Sequence, residues 1–277
     1  MQNIYDNPIF FDGYSRLREK TDNANDLFET PALMGLLPDL AGCAVLDLGC
    51  GMGDHCAEYV RRGAAKVVGI DISEKMLAAA RERNGGPRIE YLRLPMEQLG
   101  ALDGPFDVVA SSLAIHYVAD YAGLAANVFR LLKPGGVFAF SQEHPLTSCF
   151  TTGERWTKNE KGEKVFANIS NYSVDGERLT EWMVEGVRKY HRTFSTVVNT
   201  LVDAGFAVER LVEPVPDAEM RRAYPRHADL VHKPDFLLVR ARRPRRGRFR
   251  RKRLAAMFEN CSHPVHDFVL SCPWTLR

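Results

Sequence analysis

"VLDLGCGMGDHC" occupies residues 45–56, where a short apolar run carrying Asp47 gives way to glycine at 49, 51 and 53. Such a run, bounded by glycine, predicts a buried strand over residues 44–49. Glycine after a strand permits a sharp turn and lets a ligand touch backbone without a Cβ in the way. Gly49, Gly51 and Gly53 therefore suit a loop wrapped against a nucleoside or its attached chain. Outward from this loop, a helix is expected from Asp54 to Arg62, stopped at Gly63, then a second strand, "KVVGID" (66–71). Asp71 ends that strand 20 residues after Gly51, where a carboxylate can accept hydrogen bonds from both ribose hydroxyls. Glycines alone are a weak signal, but glycines with a strand-end acid at this distance are a far more specific one.

The alternation continues. Ser73 opens a helix, "SEKMLAAARERN", that stops at Gly85-Gly86. Strands are expected at 88–93, 106–112 and 137–142, with a helix near 120–132 running into "KPGG" (133–136). A helix at 193–206 and strands at 207–214 and 234–242 close the pattern. This predicts an α/β fold, a doubly wound, seven-stranded, mostly parallel sheet with crossover helices on both faces. Residues 1–40 precede it as an N-terminal cap, and residues 143–191 are inserted after the fifth strand. The inserted segment carries Trp156, Phe166, Tyr172 and Trp182, expected mostly as the core of a small cap with one or two facing a substrate. The main domain is bounded at 41–243 and a basic tail at 244–277.

Composition is ordinary for a globular chain, with 45% hydrophobic and 26% charged residues among 277. No apolar run approaches the ~20 residues of a membrane helix, and the N-terminus lacks the order of a secretory signal. The six cysteines show no framework spacing, so a reduced, cytoplasmic compartment is expected. The net charge of +2 hides an asymmetry: eleven Lys or Arg lie between Arg240 and Arg277, leaving 26 basic and 33 acidic residues in 1–239. The tail "RARRPRRGRFRRKR" (240–253) reads as a solvated extension rather than a nucleic-acid arm, because it has no apolar period.

Dinucleotides and S-adenosyl-L-methionine both use such a strand-loop layout. The dinucleotide motif is Gly-x-Gly-x-x-Gly, whereas here the glycines are spaced Gly-x-Gly-x-Gly with Asp47 just before them. An acid beside a pyrophosphate is repelled, but near an ammonium or sulfonium it is attracted. "VLDLGCGMGDH", "VVGIDIS", "FDVVASSLAIHYV" and "LLKPGGVFAFS" resemble, in order, the successive motifs of class I S-adenosylmethionine-dependent methyltransferases. The resemblance covers residues 44 to about 142. It implies that Gly49, Cys50 and Gly51 pass the cofactor's amino acid and ribose, that Asp47 organises the methionine end and that Asp71 binds the ribose. It further implies that Ile72 and Met76 flank the adenine, that Met96 and Glu97 lie near its amino group, that Leu113 passes the sulfur, and that Tyr14 and Arg18 close over the carboxylate.

Methyl transfer is an in-line displacement, so the protein mainly aligns partners, and a base helps only when the nucleophile must lose a proton. Candidates for that base, or for orienting substrate, are His116 and Tyr117 after the fourth strand, His144 beside Glu143 after the fifth, and His191 beside Arg192. His116 is the leading one. No metal is expected. The reading that results is methyl transfer to an N or O nucleophile of a small molecule, in the manner of metabolite-tailoring enzymes. RNA methylation through the basic tail and non-catalytic cofactor binding are the rival readings.

Overall fold

The computed structural model describes residues 2–20, 22–151 and 153–245. Asn7 accepts hydrogen bonds from the backbone N–H groups of Ile9 and Phe10, and Pro8 takes the first helical position, which starts α1 (Pro8–Arg18). One π-helical turn, Asn25–Glu29, leads into α2 (Thr30–Leu36). The glycine run then follows β1 (Ala44–Leu48), and Gly53 enters α3 (Asp54–Arg61) in the left-handed conformation. β2 (Lys66–Asp71) is followed by Ser73, whose hydroxyl accepts from Met76 N and caps α4 (Glu74–Asn84). β3 (Ile89–Arg93), β4 (Phe106–Ser111), α5 (Tyr121–Leu131) and β5 (Leu132–Glu143) continue the alternation.

The inserted segment holds one helical turn, α6 (Pro145–Ser148), and two hairpins. The first is β6 (Trp156–Lys158) with β7 (Lys164–Ala167), and the second is β8 (Gly176–Trp182) with β9 (Val184–His191). After it come α7 (Phe194–Asp203), β10 (Ala207–Val212), α8 (Ala218–Ala223), a 3-10 segment Pro225–Val231, and β11 (Phe236–Arg242).

The seven-stranded sheet runs β3-β2-β1-β4-β5-β11-β10. All neighbours are parallel except β11, which is antiparallel to both β5 and β10. Side chains alternate across the sheet. Leu46, Leu48, Ile70, Val109 and Phe138 face α5 and α7, whereas Val45, Val67, Val108 and Ala139 face α2, α3 and α4. Burying each such side chain contributes about 1.5–3 kcal/mol over leaving it exposed. Residues up to Pro244 form one compact unit.

Two boundaries differ from the sequence reading by three residues or more. β5 starts at Leu132 rather than 137, because Leu132 already pairs with Phe106 across a register shift, and Gly135 N donates to Arg243 O at 2.7 Å. The helix expected over 193–206 ends at Asp203, and Gly205 turns the chain at φ +97°. The four aromatics of the insertion are not one core. Phe166 is 67% exposed, Trp156 lies beneath the Lys164 and Lys233 ammonium groups, and the Tyr172 hydroxyl accepts from Phe194 N. Trp182 packs edge-on against Phe10 and Tyr14 of α1. The tail expected from 244 lies, from residue 246 on, outside the described residues.

Candidate active site

A cavity of about 500 Å³ opens at the carboxyl ends of β1, β2 and β4. That is within the range of about 300–1,000 Å³ typical of small-molecule and cofactor pockets. Its floor is the glycine loop. At Gly49, φ is +70° and an added Cβ would stand 2.5 Å from the Ala114 methyl, so only glycine fits. At Gly51, φ is +54° and an added Cβ would meet nothing within 4 Å, which leaves bare backbone facing the cavity.

Asp71 stands at the tip of β2. Its Oδ2 accepts from Gly51 N at 2.9 Å and its Oδ1 from Ser73 N at 2.8 Å, so the loop and the start of α4 fix the carboxylate. Burial pushes its pKa above the usual carboxylate range, against the pull of those N–H groups. Each oxygen keeps a lone pair for a ribose hydroxyl. Asp47 is 1% exposed, and burial pushes its pKa up to about 6. Its Oδ2 accepts only a weak bond from Cys56 Sγ at 3.3 Å, so a nearby cation would hold it ionised.

All twelve residues expected to touch the cofactor line this one cavity. Beyond the loop and the two acids, Ile72 and Met76 come from the start of α4, and Met96 and Glu97 from the 3-10 segment Met96–Ala101. Tyr14 and Arg18 come from α1, where Arg18 pairs with Asp26 at 3.1 Å. Leu113 takes the left-handed conformation, φ +50°, which is rare for a branched side chain. A hydrogen-bond relay holds it there. Leu113 N donates to Ser141 Oγ at 2.9 Å, and Ser141 Oγ donates to Glu29 Oε1 at 2.5 Å. The same oxygen accepts from Ser112 Oγ at 2.9 Å. Glu29 is fully buried and makes no ion pair among the described residues. Nothing local in "FETPALMGLL" marks it, because its partners lie some 80 to 110 residues away.

The four catalytic candidates divide. His116 and Tyr117, in the 3-10 turn Ile115–Tyr117, line the cavity; His144 and His191 do not. His144 instead caps α6: its Nδ1 accepts from Leu146 N, and its Nε2 donates to Glu213 Oε1 at 2.8 Å. His191, fully buried, accepts from Ser148 Oγ at Nδ1 and donates to Tyr172 O at Nε2. With both ring nitrogens occupied, neither histidine can serve an acceptor substrate. For His116, burial lowers the pKa to about 4, so the ring is neutral at pH 7. Its Nδ1 accepts from Glu143 N at 3.4 Å, which puts the proton on Nε2. Nε2 has no protein partner among the described residues and is not sealed from the cavity. His116 thus offers a donor, not the lone pair of a general base.

Around it the sequence reading missed Tyr5, whose hydroxyl lies 3.4 Å from that of Tyr117 and whose ring stacks edge-on with Phe10 and Tyr14. With Trp182, these rings roof the end of the cavity beside His116. Glu143 also lines this end. Burial opposes its charge, but Lys189 at 2.5 Å outweighs that and holds its pKa below the usual range.

The donor set fits a nucleoside with a cationic amino-acid chain: a sugar-binding carboxylate, bare backbone, and a second acid where positive charge would lie. Comparisons with known proteins agree. A family model described as a methyltransferase domain matches residues 45–136. The chain is 39% identical over 246 residues to a protein of Haemophilus influenzae described as uncharacterized, covering 87% of this chain and 96% of that one. It is 40% identical to an S-adenosylmethionine-dependent methyltransferase of Mesorhizobium loti of known structure, with a TM-score of 0.71, over 80% of this chain and 99% of that one. It is 37% identical over 109 residues to the malonyl-[acyl-carrier protein] O-methyltransferase of Pectobacterium atrosepticum, over 39% of this chain and 42% of that protein. The chain belongs to the class I S-adenosylmethionine-dependent methyltransferases, and S-adenosylmethionine is its cofactor.

Proposed function

We propose that this enzyme methylates a nitrogen or oxygen of a small molecule, in the manner of tailoring enzymes of metabolite biosynthesis. The observation that carries this is the aromatic roof. Tyr5, Tyr14, Tyr117 and Trp182 pack edge-on against one another and line the same cavity as His116, a setting that suits a compact acceptor rather than a polymer. The relative from Pectobacterium, an O-methyltransferase by name, supports the same class.

Bound S-adenosylmethionine supplies a methyl carbon already activated by a positive sulfur. The protein's part is placement. Asp71 and the glycine loop hold the nucleoside, Asp47 faces positive charge at the methionine end, and the roof excludes water. His116 Nε2–H donates to an oxygen or nitrogen of the acceptor and fixes its orientation. The acceptor's lone pair forms the new bond to carbon as the carbon–sulfur bond breaks, the sulfur keeps that electron pair, and any acceptor proton passes to water. Because His116 presents an N–H rather than a lone pair, the acceptor that fits is one whose lone pair is free at neutral pH, such as an aromatic ring nitrogen or a carboxylate oxygen.

Among the described residues no helix is long and apolar enough to cross a membrane, and Cys43, Cys50, Cys56 and Cys149 are free thiols. Those thiols support a cytoplasmic location. The division into a cap (1–40), a catalytic domain (41–243) and a tail completes the reading. The test is mass spectrometry of a metabolite extract incubated with the full chain and S-adenosylmethionine. A small molecule gaining one methyl group is expected; methylation of RNA alone would overturn the reading.

A further inference from the structure

Beside the cofactor cavity lies a second one of about 230 Å³, lined only by residues between 143 and 189. Glu143 and Trp182 line both, so they form the wall between them. The two spaces differ in charge. The larger is lined by five carboxylates and three Lys or Arg side chains, which suits a cationic cofactor. The smaller is lined by Arg155, Arg178 and Lys189 against Glu143 and Glu181.

Lys189, 7% exposed, pairs with Glu143, which neutralises the wall itself. Arg155 lies 4.9 Å over the Phe150 ring. Arg178 donates to the backbone carbonyls of Cys149, Glu177, Asn171 and Val174, which holds its guanidinium in place. Among the described residues neither arginine has a carboxylate within 4 Å. Arg178 keeps one N–H free of these carbonyls, and Arg155 makes no side-chain hydrogen bond among the described residues, so the planar fork that carboxylates and phosphates accept is offered mainly by Arg155.

We propose that the second cavity is the subsite for an oxyanion of the methyl acceptor, a carboxylate or phosphate group, while the nucleophile reaches past Glu143 and Trp182 toward the cofactor cavity. This rests on the small-molecule reading above and narrows it to anionic acceptors. Arg155 is the side chain best placed to test it, because it is exposed and makes no side-chain hydrogen bond among the described residues.

The experiment is isothermal titration of the full chain, first with S-adenosylhomocysteine to saturation, then with matched probes. Succinate is compared with dimethyl succinate, and glycerol phosphate with glycerol. At least one anion should bind about tenfold or more tightly than its neutral counterpart, and Arg155→Gln should cut that preference about tenfold without moving S-adenosylhomocysteine affinity. Which pair shows the preference identifies the oxyanion. No preference in either pair, or a preference untouched by Arg155→Gln, overturns the proposal. If S-adenosylhomocysteine binds normally in that sample, only the subsite fails; if it does not bind, the methyl-transfer reading fails with it.

Discussion

The two cavities are built by different parts of the chain and by different rules. The larger takes its floor from the tips of β1, β2 and β4, where strand, loop and helix start are locked together by backbone N–H groups that donate to the Asp71 carboxylate, from Gly51 and from Ser73. The smaller belongs to the inserted segment, where Lys189 of β9 reaches back to Glu143 of β5 and Arg178 of β8 to loop carbonyls such as those of Cys149 and Val174. The first is acidic and its geometry is dictated by the sheet; the second is basic and free to differ while the sheet stays the same. A common cofactor is served by the rigid part and an individual acceptor by the adjustable one.

The contrast breaks most sharply at Asp71. Asp71→Asn should leave the fold intact yet weaken S-adenosylhomocysteine binding about a hundredfold, since charge-assisted hydrogen bonds of about 1.5–3 kcal/mol each are at stake. Calorimetry that found affinity unchanged would remove the sugar-binding role. Acceptor-side anions, by contrast, should be indifferent to this substitution.

Asp47 sharpens the acidic character of the larger cavity. Its pKa of about 6 in the free protein means that cofactor binding must expel a proton below that pH. S-adenosylmethionine affinity should therefore fall as the medium is acidified below about pH 6, by up to about tenfold per unit. Asp47→Asn should flatten the profile. A wild-type affinity that is constant from pH 7 to 5 would contradict it.

His116 acts on stability rather than on binding. The folded ring titrates near 4 and the unfolded one at 6.5. Between those values only the unfolded chain takes up the proton, so this group costs stability as pH falls through that window, by up to about 3 kcal/mol. Asp47, raised from 3.8 to about 6, acts in the opposite direction between those values, favouring the fold as pH falls. Denaturant unfolding of His116→Gln should consequently lose less stability on acidification than wild type; parallel profiles would refute the buried neutral ring. Smallest of all, truncation after Arg245 should leave cofactor affinity within about twofold of wild type, because all twelve expected cofactor contacts are already supplied by described residues before it.

How legible each region was follows the same division. The floor of the larger cavity could be read from "VLDLGCGMGDHC" and "VVGID" because its chemistry is set by neighbours in sequence: glycines at fixed spacing and an acid at a strand end. His144 and His191 looked equally suitable as chemistry, since nothing in "SQEHP" or "KYHRT" shows that Glu213, Ser148 and Tyr172 will occupy their rings. Glu29 escaped for the same reason. The hairpins carry exposed Phe166 and Leu179 on short strands, so their apolar residues do not mark a core and their pairing has no strong period to announce it.

Glu29 has one more implication. The left-handed turn at Leu113 is held, through Ser141, by a carboxylate on the segment leading into α2. That segment cannot swing aside and leave the turn behind unaltered. A substitution at either place is therefore felt at the other, although more than eighty residues of chain separate them.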